Sequence, residues 1–350
     1  MLSEVHMTRK IAFIGYSTLA LILFCSSFSS GQETSFQAKT VRIVVGFSPG
    51  GGFDAYSRAI ARHIGKHLPG NPNTIVENMP GAGSLIAANY IFNQAKADGL
   101  TMGNFIGGLV MGQILGNPGV VFAAQRFEWI GAPGKAAEVC GLKKTSGVNS
   151  MGKWLTAKTP LKLGSTGFGS DTHDVPRVLQ TALGLPLQIV AGYKGTADVR
   201  LAVESGEVDG VCTDWNSIKS TWKNLLDSGG MTIVLQATEK PQPDLPNVPL
   251  AMDFAKSEEA RWLIQTGIHD QSALLRPYAL PPGTPKERVR ILRKAFGDTL
   301  TDREFLSEAK KINLTVDPVS GEELEKITGG IVKMESSRIR KLKEIFLPGK

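Results

Sequence analysis

A glycine-rich turn near the start of the chain has the residue types to hold an anion. It reads Phe47-Ser48-Pro49-Gly50-Gly51-Gly52-Phe53-Asp54 and directly follows the apolar run from residue 41 to 45. A helix is predicted from residue 55 onward, and the free N–H groups and positive dipole end of a helix N-terminus attract a carboxylate. Glycines let the backbone approach a ligand without a Cβ in the way. Apart from Phe53, all residues of this turn are predicted ligand contacts.

The carboxylate of Asp54 has two interpretations. It can hold a water molecule or bind an amine or hydroxyl group of a ligand. It can equally cap the helix that follows and compensate the helix dipole. The sequence leaves both open.

A second turn with glycines and hydroxyl groups runs from Gly164 to Asp174, again between a predicted strand and a predicted helix. It can offer N–H and O–H donors to the other side of an anion. It is neither a phosphate-binding loop with a lysine after the last glycine nor a dinucleotide fingerprint. A flexible surface loop is the alternative. The predicted ligand contacts here are Thr166, Gly167, Gly169, Ser170 and His173.

A serine, a histidine and an aspartate in this second turn raise the question of hydrolysis. Triads form in space, however, and sequence neighbours such as Ser170, His173 and Asp174 rarely make one. The G-x-S-x-G nucleophile elbow is also absent, and His173 with Asp174 is too small a set for a metal site. We therefore predict no catalytic residue, no metal and no cofactor.

Three further residues are predicted to line the ligand cleft: Tyr193, Asp209 and Asp214. Tyr193 opens a strand-to-helix turn with Lys194, which either faces the anion or is simply solvated. Trp215, next to Asp214, is interpreted as core.

Strand-like runs alternate with helix-like stretches along the chain, which is typical of an α/β fold with parallel sheets. The β–turn–α unit occurs twice before residue 105, and another such unit begins near residue 139. The segment from Ala279 to Pro285 is predicted to be a turn that leads into a helix.

Composition and termini limit the function classes. The formal charge of +7 comes from 39 basic and 32 acidic residues. The charges are mostly dispersed, and the basic cluster near residue 340 fits a solvated helix face, so no nucleic-acid partner is predicted.

Residues 1–31 have the order of a secretory signal, with a basic start, an apolar run and small residues before a cleavage site after Gly31.

Alternatives to cleavage are a retained N-terminal anchor and a lipoprotein modified at Cys25.

The remaining cysteines, Cys140 and Cys212, either pair in an oxidising compartment or stay as buried free thiols. Removal of the signal leaves about 320 residues, enough for two domains.

The ordered set of short motifs resembles the extracytoplasmic solute receptors of tripartite tricarboxylate transporters, the Bug family. The resemblance covers nearly all of the mature chain, and it departs from the family pattern at Ser48, Gly192 and residues 212–215. The matching segments are Arg42–Asp54 with Arg58, Val76–Gly83, Asp98–Thr101, Ser165–His173, Tyr193–Gly195, Gly206–Asp209 and Leu280–Pro285.

The resemblance implies the type II periplasmic binding protein fold: two α/β domains with the ligand cleft between them. The domains are expected at 38–136 plus 268–350 and at 137–267. It also implies a periplasmic monomer that closes on a small organic carboxylate and delivers it to membrane transporter subunits. An exported enzyme acting on a carboxylated substrate, or a solute sensor for a signalling partner, are the alternatives. Ligand identity stays open.

Overall fold

Within residues 35–346, which the computed structural model describes, the chain forms two mixed β-sheets flanked by helices. The predicted signal sequence lies outside these residues. The strands are β1 (Thr40–Val45), β2 (Asn73–Asn78), β3 (Thr101–Asn104), β4 (Glu128–Ala132), β5 (Glu138–Lys143), β6 (Leu161–Ser165), β7 (Leu187–Ala191), β8 (Gly210–Asp214), β9 (Met231–Gln236), β10 (Tyr278–Leu280) and β11 (Val319–Ser320).

The helices lie between these strands and after them. They are α1 (Gly52–Ile64), α2 (Leu85–Asn93), α3 (Leu109–Ile114), α4 (Met151–Leu155), α5 (Asp171–Leu183), α6 (Thr196–Ser205), α7 (Trp215–Thr221), α8 (Lys223–Asp227), α9 (Glu258–Gly267), α10 (Lys286–Thr301), α11 (Arg303–Lys311), α12 (Gly321–Val332) and α13 (Ser336–Phe346). No helix among residues 35–346 is long and apolar enough to cross a membrane.

The first sheet has the order β11-β4-β10-β3-β1-β2, and the second has the order β7-β6-β8-β5-β9. We call each sheet with its helices a lobe. The chain passes from the first lobe to the second between β4 and β5, and it returns between β9 and β10. These two connecting segments are joined by a hydrogen bond from the N–H of Ala136 to the carbonyl of Ser272, at 2.8 Å. Exact domain boundaries stay a prediction.

The prediction of parallel sheets is only partly right. The β–turn–α units do place β1 parallel to β2 and β3, and β6 parallel to β7. However, β10 runs antiparallel to both of its neighbours, and β5 runs antiparallel to β8 and β9. These antiparallel strands follow the two passages between lobes, where the chain enters a sheet without the crossover helix that a parallel strand requires.

The interpretation of residues 279–285 as a turn is wrong at its start. Tyr278, Ala279 and Leu280 form β10 in the middle of the first sheet, and all three are buried. Three apolar residues before Pro281 are too few to show a strand period. The sheet pairing on both sides of β10 creates the strand, and the turn begins only after Leu280.

The two cysteines that the sequence left open form a disulfide between adjacent strands. Cys140 of β5 and Cys212 of β8 are register partners in the second sheet, and both are fully buried. The bond therefore ties together the two strands that carry Glu138 and Asp214 at the edge nearest the first lobe.

Candidate functional site

The glycine-rich turn after β1 leads straight into α1, as its sequence predicts. Gly50 has a positive φ of 82°, a conformation that favours glycine. The N–H groups of Gly51 and Gly52 have no hydrogen-bond acceptor among the described residues. Both groups lie at the N-terminus of a 13-residue helix. This end of α1 can therefore hold a negatively charged group.

Asp54 is held by three donors from the first lobe. Its carboxylate accepts hydrogen bonds from the N–H of Gly50 at 2.9 Å, from Nε of Arg58 at 2.9 Å and from Nδ2 of Asn78 at 3.0 Å. Burial alone would raise the pKa of Asp54, but these donors outweigh it and lower the pKa. Asp54 therefore does not cap α1, whose N-cap residue is Gly51, and its contacts shape the preceding turn instead. Its role as a ligand contact stays a prediction.

We expect Asp54→Asn to destabilise the fold by about 1–2 kcal/mol, because Nδ2 of asparagine cannot accept from Gly50 or Arg58. The loss stays this small because the Arg58 side chain is 44% exposed, which weakens its ion pair with Asp54. The stabilisation that the Asp54 carboxylate gives the wild type is present above the ordinary pKa of 3.8. It is lost as the pH falls through the lowered pKa of Asp54 in the folded state. Urea unfolding at pH 7 and pH 3 checks this. A difference between variant and wild type that does not shrink at pH 3 would contradict it.

The second lobe touches the glycine-rich turn directly. The N–H of Ser48 donates to the carbonyl of Lys194 at 3.0 Å, and its hydroxyl donates to Oδ2 of Asp198 at 2.6 Å. At Gly195, a Cβ would lie only 2.3 Å from Oγ of Ser48. The two lobes are thus in contact here, and a glycine permits the approach.

The second turn uses its own side chains to occupy its backbone donors. The N–H of Gly167 donates to Oγ of Ser165 at 3.1 Å, and the N–H of Gly169 donates to Oδ1 of Asp174 at 3.2 Å. The N–H of Thr166 donates to Oγ1 of Thr172 at 3.0 Å. The predicted role of this turn as an anion holder stays a prediction, and it requires these internal bonds to rearrange.

His173 and Ser170 each bond within the same turn. Nδ1 of His173 lies 2.8 Å from Oδ1 of Asp174. The Ser170 hydroxyl donates to the carbonyl of Gly167 at 2.6 Å. These bonds fix the turn over the start of α5, where its backbone faces the first lobe: a Cβ on Gly83 would lie 2.8 Å from the carbonyl of Phe168.

The structure does not bring Asp209 to the other predicted residues. Its carboxylate accepts from the N–H of Lys162 at 2.8 Å, beside the start of β6, whereas the second turn follows the end of that strand. The N–H of Tyr193 donates to the carbonyl of Ser165 at the end of β6, at 3.2 Å, and its hydroxyl donates to Oε1 of Glu207 at 2.6 Å. Asp209 is therefore placed at the opposite end of the sheet.

Asp214 is fully buried and connects the lobes. Oδ2 accepts from Nη2 of Arg276 at 3.0 Å and from the N–H of Ser217 at 3.1 Å, where it caps α7. Oδ1 accepts from the N–H of Ala137 at 2.9 Å. Burial would lower the pKa of Arg276, but Asp214 and other neighbours raise it, so the guanidinium stays charged.

Comparisons with known proteins identify the family of this chain. A family model described as Tripartite tricarboxylate transporter family receptor matches residues 57–343. The chain belongs to this receptor family. A UPF0065 protein of Bordetella pertussis (strain Tohama I) is 30% identical to the receptor over 207 residues, which are 57% of this chain and 60% of that protein. The receptor thus spans about three fifths of that relative's length in the match.

Solved structures share the receptor's fold. The periplasmic binding protein BugD superposes with a TM-score of 0.72 at 22% identity, covering 87% of the receptor and 97% of BugD. MatC from Rhodopseudomonas palustris, solved with bound malate, has a TM-score of 0.70 at 20% identity, covering 88% and 99%. The predicted fold class and family are confirmed.

A cavity of about 50 Å³ lies between the lobes of the receptor. Gly169 and Ser170 of the second turn line it, together with Glu138 and Asp171, while none of the described residues 47–54 does. Glu138 and Arg276 are not among the residues predicted from the sequence. A single charged residue inside an otherwise apolar stretch, as in residues 136–142 and 273–280, was the available signal of a buried polar role.

Proposed function

We propose that the receptor captures a small organic carboxylate in the periplasm by closing its two lobes, and that it delivers this solute to tripartite transporter subunits in the membrane. Family membership supports the transporter partner, and the bound malate in MatC supports the solute class. The predicted signal sequence supports export. The protein acts as a monomer and performs no chemistry on its ligand.

The observation that carries this proposal is the pair of N–H groups at Gly51 and Gly52, which have no acceptor within residues 35–346. They lie at the positive end of α1, beside the contact between Ser48 and the second lobe. A carboxylate placed there gains charge-assisted hydrogen bonds, and lobe closure excludes water and strengthens them.

A ligand screen tests the proposal. The mature protein is heated with a panel of organic acids that includes malate, and each acid that raises the melting temperature is measured by isothermal titration calorimetry. Mass spectrometry then follows the acid during prolonged incubation. Saturable binding of an unmodified acid is expected, whereas no binding by any acid, or conversion to product, contradicts it.

Closure itself is tested by Gly195→Ala. Gly195 has an extended backbone, with φ of −177°, so alanine fits locally. The added Cβ would meet Ser48 at 2.3 Å and hold the lobes apart. Because overpacking of this kind costs about 1–3 kcal/mol, we expect affinity for the best acid of the screen to fall about fivefold or more.

Gly329→Ala is the matched control, because no atom of the part of the chain that the structure describes lies within 4 Å of a Cβ at this position in α12. Calorimetry should give the control the wild-type affinity. Small-angle scattering with saturating acid should show a larger radius of gyration for Gly195→Ala than for the control. Equal affinities and equal radii in the two variants would show that the Ser48 contact plays no part in closure.

A further inference from the structure

A buried glutamate, Glu138, lines the cavity between the lobes. Glu138 is 5% exposed, and its Oε2 has no hydrogen-bond partner among the described residues. The carboxyl of Asp171 also lines the cavity and is held on the protein side, where Oδ2 accepts from Oγ1 of Thr213 at 2.7 Å. A buried acceptor with no protein donor is costly, so Glu138 favours a guest that donates to it.

The charges around the cavity favour a positive guest. Glu138 and Asp171 line it, and their neighbour Asp214 adds a third carboxylate. Arg276 is a buried cation in this region, and its Nη2 already donates to Asp214 at 3.0 Å and to Oγ of Ser217 at 2.5 Å. Neither Glu138 nor Asp171 forms an ion pair with a cation among the described residues.

Electrostatics at the cavity point the same way. Burial raises the pKa of Glu138 well above its ordinary value, and the carboxylates of Asp171 and Asp214 raise it further, against the opposing effect of Arg276. Burial also raises the pKa of Asp171. A carboxylate group of the solute entering this cavity would add to the repulsion among these carboxylates, whereas an ammonium group of the solute would relieve it.

We propose that this cavity receives the protonated amine of the solute, with Glu138 as its principal partner, so that the receptor takes amine-bearing carboxylates in preference to simple di- or tricarboxylates. Apolar side chains on the cavity wall, such as Ile106, Met111 and Leu274, surround the carbon next to the amine. The inference rests on the proposed function, which supplies the carboxylate end at α1.

The test uses pairs of acids that differ by one amine: succinate with aspartate, glutarate with glutamate, and pentanoate with 5-aminopentanoate. Calorimetry measures each with the mature wild-type protein and with Glu138→Gln. The amine-bearing member of at least one pair should bind at least tenfold more tightly to the wild type. Glu138→Gln should abolish that preference, because an amide cannot supply the negative charge.

Glu258→Gln is the control for the loss of one negative charge, since that side chain is 97% exposed. It should keep the wild-type preference. Circular dichroism and melting temperature establish that Glu138→Gln is folded. If Glu138→Gln binds the amine-free acids at wild-type affinity but has lost the amine preference, the inference is supported. Binding of the amine-free acids shows that the rest of the site is intact in this variant.

The possible failures are distinguishable. If the amine-free acids bind as tightly as their partners, or if Glu138→Gln leaves the preference intact, the inference is overturned and the proposed function stands. If Glu138→Gln binds amine-free acids more tightly and no acid prefers the amine, the inference is overturned because Glu138 then faces a negatively charged part of the solute. If no acid of either kind binds, the proposed function fails as well.

Discussion

Arg276→Met should lower the free energy of unfolding by about 3–5 kcal/mol, because it leaves the buried carboxylate of Asp214 without its cation. Arg276 is 3% exposed and Asp214 is fully buried. The guanidinium also lies over the rings of Phe53 and Tyr56, at 5.1 and 4.9 Å from their centroids. Because Arg276 also donates to Ser217 of α7, its side chain contacts α1 of the first lobe and α7 of the second.

A double-mutant cycle separates the ion pair from the packing. Asp214→Asn in the Arg276→Met background removes the uncompensated charge, and the cycle should show a coupling of about 1 kcal/mol or more. Urea unfolding of all four proteins supplies the free energies. Arg290→Met is the control, since that arginine is exposed and pairs with Glu287 in its own helix, so little change is expected. Additive effects of the two buried substitutions would contradict the pairing.

The elements near the glycine-rich turn follow from local sequence. An apolar run, three glycines and an amphipathic helix specify β1, the turn and α1 without help from distant residues. The sequence pattern also predicts β2, β3, β6 and β7, because each lies in a repeated β–turn–α unit whose parts are adjacent along the chain. Family motifs then sufficed for the fold class, since they span most of the chain in the correct order.

Local sequence does not specify what distant segments bring together. Glu138, Asp214 and Arg276 are separated by many residues, and only the pairing of β5 with β8 and the return of the chain to the first lobe make them neighbours. Asp209 shows the reverse error. Asp209 directly precedes β8, and its carboxylate accepts from the N–H of Lys162 at that end of the sheet. Asp214 ends the same strand, so the two aspartates lie at opposite ends of β8 and only Asp214 is near the first lobe.

Hydrogen bonding inside the second turn also escapes prediction from sequence. Its glycines suggested free N–H donors, but Ser165 and Asp174 occupy two of them. Whether a donor is free depends on side-chain rotamers, which the residue types do not determine. The first turn differs because Asp54 accepts from Gly50, whereas the N–H groups of Gly51 and Gly52 meet no acceptor in the described part of the chain.

Loss of the disulfide should have an effect of similar size to the loss of Arg276. The bond joins Cys140 and Cys212 across 72 residues. Closing a loop of this length restricts the unfolded chain by about 4 kcal/mol in the chain-entropy model, and measured losses of native disulfides are about 2–5 kcal/mol. We expect the double substitution Cys140→Ala with Cys212→Ala to lower the free energy of unfolding by about 2–4 kcal/mol.

Ligand binding should survive this change, because β5 and β8 remain paired by their backbone hydrogen bonds on both sides of the cysteines. Urea unfolding of the oxidised wild type, the reduced wild type and the double variant provides the comparison. The reduced wild type and the variant should unfold at similar urea concentrations, both below the oxidised protein. Thiol titration of the denatured mature protein should find Cys140 and Cys212 unreactive before reduction. Two reactive thiols would mean that the strands hold these cysteines side by side without a bond, and the stability of the second lobe would then rest on its sheet and core alone.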